Sequence, residues 1–291
     1  MASDYIVNHY IDTFSGMWTT RLQRTMAKFL PYVGRALTNG KRTRFNQLEK
    51  KASREISGRA TATIIDERVS YHRWYIPRLF ELSEQFDQWD DSELANIVLP
   101  TSNTMEQHVY AYNRDVDKVI VAAIEGNATT GETGATTTAI TQTATLGTAI
   151  TLVSIANIGL AFDNADIEYE GRCLAISPSD NFRMVTEVAE AQSTDFVTAN
   201  RIVSGHMDNS EAFLGFKILM TTGLTWPTTT TTNVLAWHKD QIKFGDGERR
   251  VFIDRLPSTS QAKQIYSTWR VGAYRNEEKG VYKLVTTNTA H

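Results

Sequence analysis

A chain of 291 residues with 41% hydrophobic content is long enough to bury a large core, which excludes general disorder. Its mean hydropathy is −0.32, and no apolar run approaches the length of roughly 18 residues that a membrane-spanning helix needs. The first residues lack a basic region followed by an apolar one, so we expect no secretion signal. The single cysteine, Cys173, cannot form an internal disulfide, and its apolar neighbours predict a buried structural role.

The net charge of −3 excludes a polycation that coats nucleic acid, but the charges are unevenly distributed. Residues 1–60 carry eleven bases and four acids, a net charge of +7, whereas residues 81–93 carry six acids and no base. Two interpretations remain open at this point. The segments are solvated faces of opposite bias, or they are complementary surfaces that meet between copies of the chain.

The first predicted element is an N-terminal arm over residues 1–45. Aromatic and basic side chains are mixed there without helical or strand periodicity, so we expect the segment to pack on another surface. From Gly58 to Tyr75 the chain is rich in β-branched and aromatic residues with charges interspersed. This composition predicts an extended β-hairpin.

Residues 101–125 give the clearest helix signal, because the segment begins after Pro100 and ends at Gly126. Apolar side chains recur there at spacings of four and three residues and form one stripe: Met105, Val109, Tyr112, Val116, Val119 and Ala123. An ordinary amphipathic core helix of roughly 37 Å explains the stripe by itself. The position of this helix in the order of elements is therefore more informative than its pattern.

The remaining elements alternate irregularly between helix and strand, which favours an α+β fold over a βαβ repeat. A Thr/Gly-rich stretch after Gly126 predicts a surface loop or short strands, and Trp226-Pro227 with five threonines predicts a second loop. The other predicted elements are a helix over 148–162, a buried strand over 172–176, a helix over 178–191, a strand over 213–220, and two strands over 265–285 joined by a polar turn at 275–280.

Motifs for catalysis, metals or nucleotides are weak. Gly126, Gly131 and Thr133 have the spacing of a phosphate-binding loop, but Glu132 occupies the lysine position and would repel a phosphate. His206 and Asp208 lie two residues apart, yet a metal site needs three or four ligands. We therefore predict no catalytic residue, cofactor or metal, and keep a metal-dependent hydrolase or ligand-binding protein using His206 and Asp208 as a distant alternative.

Nucleic-acid binding, if present, is expected to be non-specific. N-terminal bases are interleaved with Phe29, Tyr32 and Phe45, a composition compatible with contacts to a phosphate backbone. No zinc-finger, helix-turn-helix or RNP signature accompanies them. The sequence predicts weak, salt-sensitive contacts rather than sequence recognition.

Several local segments, in their joint order, resemble the major capsid proteins of tailed bacteriophages with the Hong Kong 97-like fold. The resemblance covers about residues 30 to 286. Leu99-Pro100 and the following helix look like the family's spine helix, and the strand Arg172–Ile176 with Ser177-Pro178 resembles its buried strand entering a helix. Two further segments resemble the return to the axial sheet and the closing strands of the peripheral domain: 213–218, and 269–275 together with 280–284.

This resemblance implies a domain plan and a function. The implied divisions are an N-terminal arm over 1–45, an extended loop over 46–90, a peripheral domain with the spine helix over 91–165, an axial domain over 166–262, and return strands with a C-terminal tail over 263–291. The chain would self-assemble, without enzymatic activity, into the icosahedral head shell of a tailed phage around double-stranded DNA. An encapsulin-like nanocompartment shell, which has the same fold, is the close alternative.

The resemblance also implies partners and a location. Copies would form the hexamers and pentamers of the shell, with a separate scaffolding protein, a portal, non-specifically held DNA and a decoration protein as further partners, and no membrane. The protein would be located in the virion after assembly in the host cytoplasm. From the charge segregation we select these candidate contacts between subunits: Arg35, Lys41, Arg42, Arg44, Arg68, Arg73, Glu81, Glu84, Asp87, Asp90 and Asp91.

Overall fold

The structure is a computed structural model that describes residues 25–36, 40–55, 58, 65, 67–86, 103–190, 214–259 and 262–287. The chain divides into two compact units. Unit 1 comprises residues 1–26, 79–115 and 248–269, and unit 2 comprises residues 27–78, 116–247 and 270–291. Most of the predicted arm lies outside the described residues, as do His206 and Asp208.

The described elements combine helices with three sheets, so the α+β prediction is confirmed. The helices are α1 (Asn103–Glu125), α2 (Leu152–Asn164) and α3 (Pro178–Glu190), with 3₁₀ helices at Leu30–Tyr32 and Lys239–Gln241. The strands are β1 (Gly34–Arg35), β2 (Thr43–Leu48), β3 (Ser70–Tyr75), β4 (Arg78–Phe86), β5 (Ala128–Thr130), β6 (Thr136–Thr138), β7 (Gln142–Thr145), β8 (Arg172–Ile176), β9 (Lys217–Met220), β10 (Thr231–His238), β11 (Ile242–Leu256), β12 (Ala262–Arg275) and β13 (Val281–Thr287).

A five-stranded mixed sheet in the order β7-β13-β10-β8-β9 contains the main core of unit 2. Strand β10 pairs antiparallel with β8 and β13, while β8 pairs parallel with β9 and β13 with β7. All five residues of β8 are buried, as its apolar sequence predicted, and Cys173 is among them. Burial raises the pKa of the Cys173 thiol to about 12, so this side chain serves as packing.

Helices α2 and α3 begin at polar side chains that cap their first turns. The Ser177 hydroxyl accepts the Asp180 N–H at 3.1 Å, and an Asp180 carboxylate oxygen accepts the Ser177 N–H at 3.3 Å. Thr151 and Ser154 make the same reciprocal pair at the start of α2. Such pairs satisfy N–H groups that have no partner inside a helix. The predicted strand, Ser-Pro and helix order is confirmed at this point of the chain.

A four-stranded sheet in the order β2-β3-β5-β6 contains the predicted hairpin, but with a different first strand. We predicted both strands within 58–75, whereas the structure pairs β2 with β3, from Thr43 opposite Tyr75 to Leu48 opposite Ser70. Residues of β2 alternate between half-buried and exposed, because one face of the hairpin packs on other residues of unit 2. The basic residues on the other face concealed this strand in the sequence.

The third sheet has the order β1-β11-β12-β4. Within unit 1, the Trp269 indole N–H donates to the Asp115 carboxylate at 3.2 Å, and its ring meets Tyr112 edge-on. The two predicted closing strands exist as β12 and β13, but they belong to different sheets. The helix predicted over 101–125 is confirmed as α1, whereas strands β10 and β11 were missed by sequence reasoning.

Candidate assembly surface

The root of the β2–β3 hairpin is held by aromatic side chains in unit 2. The Phe45 ring stacks on Tyr274 with 4.6 Å between centroids, and Tyr75 meets Tyr274 edge-on. The Tyr75 hydroxyl donates to the Gly245 carbonyl at 2.9 Å. Gly272 makes room for this ring, because a Cβ at that position would lie 2.6 Å from a Tyr75 ring carbon. The packing of these aromatic rings therefore sets the direction in which the hairpin leaves unit 2.

A buried charge cluster lies beside this root. The Arg73 guanidinium donates to Glu278 at 2.8 Å and to Gln47 at 3.3 Å. The Arg275 guanidinium lies 4.0 Å from the other Glu278 oxygen. One carboxylate thus sits between two buried cations, and burial lowers the pKa of Arg275. The cluster links β3 and β12 to the turn before β13.

Arg275 also closes the C-terminal end of α1. Its guanidinium donates to the carbonyls of Ile124 at 3.1 Å, Gly126 at 2.7 Å and Thr138 at 3.0 Å. The last carbonyls of a helix lack partners within it, and a cation there also opposes the negative end of the helix dipole. One side chain therefore fixes both the end of α1 and the end of strand β6.

The outward face and the loop of the hairpin are basic, with apolar side chains among the charges. Arg42 lies over the Trp74 ring at 5.2 Å, and Arg44 is exposed on the same strand pair. In the loop, the Lys51 ammonium donates to the Glu67 carbonyl at 2.7 Å. Two aliphatic side chains of the same segment, Leu48 and Ile65, are 61% and 88% exposed. The hairpin therefore presents a mixed basic and apolar surface.

The predicted contact residues fall into four groups. Lys41, Arg42, Arg44 and Arg68 are exposed and all belong to the hairpin region, while Arg35 is exposed on β1. Arg73 differs, because its guanidinium is buried and paired with Glu278 inside the same subunit, and we remove it from the contact set. Glu81 and Glu84 lie on β4 in unit 1. Asp87, Asp90 and Asp91 lie outside the described residues.

Glu84 lies near a buried histidine within unit 1. The His108 Nδ1 atom lies 2.7 Å from the Ser267 hydroxyl, and its Nε2 atom lies 3.8 Å from a Glu84 oxygen. This order of serine, histidine and carboxylate resembles a nucleophilic triad. Ser267 is only 3% exposed, however, so a substrate carbonyl has no access to its hydroxyl. We interpret the three residues as a structural link between β12, α1 and β4.

We expect His108 to make unit 1 sensitive to acid. Burial lowers the pKa of His108 below its ordinary value of 6.5, against the opposing pull of Glu84. As the pH falls below 6.5, the unfolded chain takes up this proton before the folded chain does, so stability falls until the lower folded pKa is passed. Urea unfolding at a series of pH values should show this loss in the native chain and a flatter profile in His108→Gln. Equal profiles would contradict the assignment.

The described residues offer little for ligand chemistry. A cavity of about 250 Å³ in unit 2 is lined by Trp74, Val119, Asn127 and Tyr274 among others, and no carboxylate or histidine lines it. Among the described residues no three His, Cys, Asp or Glu side chains are grouped to hold a metal ion. None of the helices in the described ranges is both long and apolar enough to cross a membrane.

Comparison with known proteins identifies the family. A family model described as phage capsid protein matches residues 6–287, nearly the whole chain. The chain belongs to the phage capsid protein family. No curated protein sequence matches the capsid protein significantly.

Solved structures agree on the fold of the capsid protein. A chain from Mycobacterium phage Che8 has a TM-score of 0.69 at 14% identity, over 94% of this chain and 96% of that chain. The capsid of Cyanophage P-SCSP1u has a TM-score of 0.71 at 13% identity, over 98% of this chain and 95% of that chain. The capsid of Myoviridae phage XM1 has a TM-score of 0.66 at 14% identity, over 97% of this chain and 98% of that chain. The Hong Kong 97-like capsid fold is thereby confirmed.

The family membership confirms the main functional prediction. The chain is a major capsid protein, a structural protein that assembles with copies of itself into the phage head shell and is located in the virion. It belongs to a family of shell proteins rather than enzymes. The encapsulin-like and hydrolase alternatives receive no support from these comparisons.

Sequence reasoning missed the residues that hold this surface in place. Arg275 and Glu278 lie in a segment that we interpreted only as a polar turn, and Gly272 was not singled out. The one available signal was the position of Arg275 at the end of an alternating apolar strand. Such a signal cannot identify the helix end that the guanidinium caps, since Ile124 is about 150 residues earlier in the chain.

Proposed function

We propose that the subunit joins the hexamers and pentamers of an icosahedral tailed-phage head by placing its β2–β3 hairpin on a neighbouring copy. The observation that carries this proposal is the exposure of apolar side chains on a hairpin with a rigid root. Leu48, Ile65 and Val69 are exposed by 61%, 88% and 45%. Several exposed apolar side chains within one projecting segment are typical of a protein interface. A neighbouring subunit is the partner that a shell always supplies.

The charge distribution supports a defined register for this contact. Residues 41–68 carry eight bases and four acids, while residues 81–93 carry six acids and no base. We infer that the basic hairpin of one copy lies near the acidic segment of the next. An exposed ion pair contributes only about 0–1 kcal/mol. Many such pairs, repeated over the shell, favour the correct register while each single contact stays reversible.

The domain plan belongs to the same proposal. Residues 1–45 would include an arm that grips a neighbour, 46–90 the extended loop, 91–165 the spine side of the peripheral domain, 166–262 the axial domain, and 263–291 the return strands and tail. Further proposed partners are a scaffolding protein, a portal, a decoration protein and packaged double-stranded DNA held by non-specific contacts. Assembly would take place in the host cytoplasm.

A charge-swap experiment tests the electrostatic contact. The chain Arg44→Glu, Lys50→Glu, Arg68→Glu should fold normally but form few shells, because like charges then face each other. The chain Asp87→Lys, Asp90→Lys, Asp91→Lys should fail in the same way. A chain with all six changes carries both reversals and should recover shell formation. The measurement is the fraction of closed shells by electron microscopy and sedimentation, beside circular dichroism of the free subunit.

The matched control is Lys239→Glu with Lys279→Glu, which reverses two exposed bases outside the hairpin. Glu84 is left unchanged, since its proximity to His108 would confuse a folding effect with an assembly effect. Normal shells from both triple variants would refute the electrostatic contact. Failure of the six-fold variant despite a normal fold would show that these two segments do not face each other.

A further inference from the structure

Asp117 is a buried carboxylate in the middle of α1 that binds main-chain N–H groups far away in sequence. It is 1% exposed. One oxygen accepts the N–H of Lys28 and the other accepts the N–H of Phe29, both at 3.0 Å. These two residues directly precede the 3₁₀ helix Leu30–Tyr32. The N–H groups at the start of a helix have no acceptor within the helix, so they need a partner from elsewhere. The carboxylate thus holds the backbone itself at a fixed position.

The surrounding contacts fix the same short segment from other elements of unit 2. The Phe29 ring is fully buried, with its centroid 5.6 Å from that of Trp237 on β10. The Trp237 indole N–H donates to the Tyr32 carbonyl at 2.8 Å, and the Lys28 ammonium donates to the Met220 carbonyl at 3.0 Å. Helix α1, β10 and β9 therefore converge on residues 28–32.

The residues before this segment are those of the proposed arm. Residues 1–24 contain Tyr5, Tyr10, Phe14, Trp18, Arg21 and Arg24 and, fully extended, would span about 80 Å. We propose that Asp117 is the positioning residue that fixes where this arm leaves the subunit, and hence which part of a neighbouring copy the arm reaches. The inference rests on the proposed gripping role of the arm and adds the residue that directs it.

A carboxylate suits this role better than any side chain of similar size. Both oxygens accept, so two adjacent N–H groups are satisfied at once. An asparagine would keep the shape but present its NH₂ group to one of the two donors, leaving that donor unpaired. Asp117→Asn therefore weakens the attachment without emptying the core.

The first readout is local hydrogen exchange in the full-length chain. In Asp117→Asn, amides of the peptide containing Lys28 and Phe29 should exchange at least about tenfold faster, while those of β10 keep their native rates. Glu106→Gln is the matched control, since it removes an exposed carboxylate from the same helix. Native exchange at residues 28–29 in Asp117→Asn would overturn the inference, as would equal acceleration throughout β10.

The second readout separates the anchor from the arm. A full-length arm variant, Phe14→Ser with Trp18→Ser, should reduce the yield of closed shells, and Asp117→Asn should reduce it similarly. Combining the three changes should add no further loss, because both act through the same arm. A larger loss in the combined variant would overturn the positioning role of Asp117 alone. Normal shells from Asp117→Asn, with few shells from the arm variant, would do the same. Normal shells from the arm variant would refute the gripping role and the anchor together.

Discussion

Replacing Arg275 with methionine is expected to lower the free energy of unfolding by about 3–5 kcal/mol, the range for breaking a buried charge pair from one side. The change leaves the carbonyls of Ile124, Gly126 and Thr138 without their guanidinium donor. It also removes one of the two positive charges beside the Glu278 carboxylate, which is then paired with Arg73 alone. Methionine keeps most of the aliphatic volume, so the loss reports polar contacts rather than a cavity. Denaturant unfolding of the unassembled subunit, followed by circular dichroism, measures it.

Lys279→Met is the control for this prediction, because Lys279 is exposed in the turn that follows the same strand. We expect its unfolding free energy to stay within about 0.5 kcal/mol of the native value. A loss below about 1 kcal/mol in Arg275→Met, less than a typical buried hydrogen-bond deletion, would contradict the role of Arg275 at the end of α1.

The sequence predicted those elements whose signals are local. Helix α1 was found because a proline, an apolar stripe and a glycine follow one another within one segment. The buried strand Arg172–Ile176 and helix α3 were found because Ser177-Pro178 separates an apolar run from a helical pattern. In both cases the sequence signals that mark the element lie within one short segment, so no knowledge of the distant chain was needed to predict it.

Elements that depend on distant partners were missed or misplaced. Strand β2 pairs with β3 across more than twenty residues of sequence, and its exposed bases make it look like part of an arm. Strand β10 is buried on both faces between β8 and β13, and it begins at Thr231, inside the threonine run that was predicted to be only a loop. Pairing that brings distant segments together leaves little trace in local composition.

At the candidate assembly surface, the sequence likewise could not distinguish single residues of the same type. Arg44 and Arg73 are the same residue type on adjacent strands, and the sequence placed both in the contact set. Register separates them, since Arg44 lies opposite Trp74 on the outer face while Arg73 lies opposite Phe45 on the inner face. A shift of one residue would exchange these faces. Charge segregation could therefore indicate the surface, but only the register shows which arginine is available to a neighbour.

Two buried sites connect the core of the subunit to its proposed contacts. Arg275 ties the end of α1 to the root of the hairpin, and Asp117, eight residues earlier on α1 than Glu125, holds the segment that follows the arm. The hairpin and the segment at residues 28–32 are thus both held by the part of α1 that belongs to unit 2. A shell subunit needs this arrangement, because small errors at the base of a long projection become large displacements at its tip.

Replacing Trp237 with alanine is expected to lower the free energy of unfolding by about 3–5 kcal/mol, the usual loss for a large aromatic side chain in a core. Trp237 is fully buried, packs on Phe29 and donates to the Tyr32 carbonyl at 2.8 Å. Trp237→Phe keeps much of the packing and should lose about 1 kcal/mol through the missing hydrogen bond, plus a smaller cavity. Trp226→Ala, at an exposed position, is the control and should stay near the native value. A loss in Trp237→Ala no larger than the loss in Trp226→Ala would contradict the stabilising role assigned to Trp237.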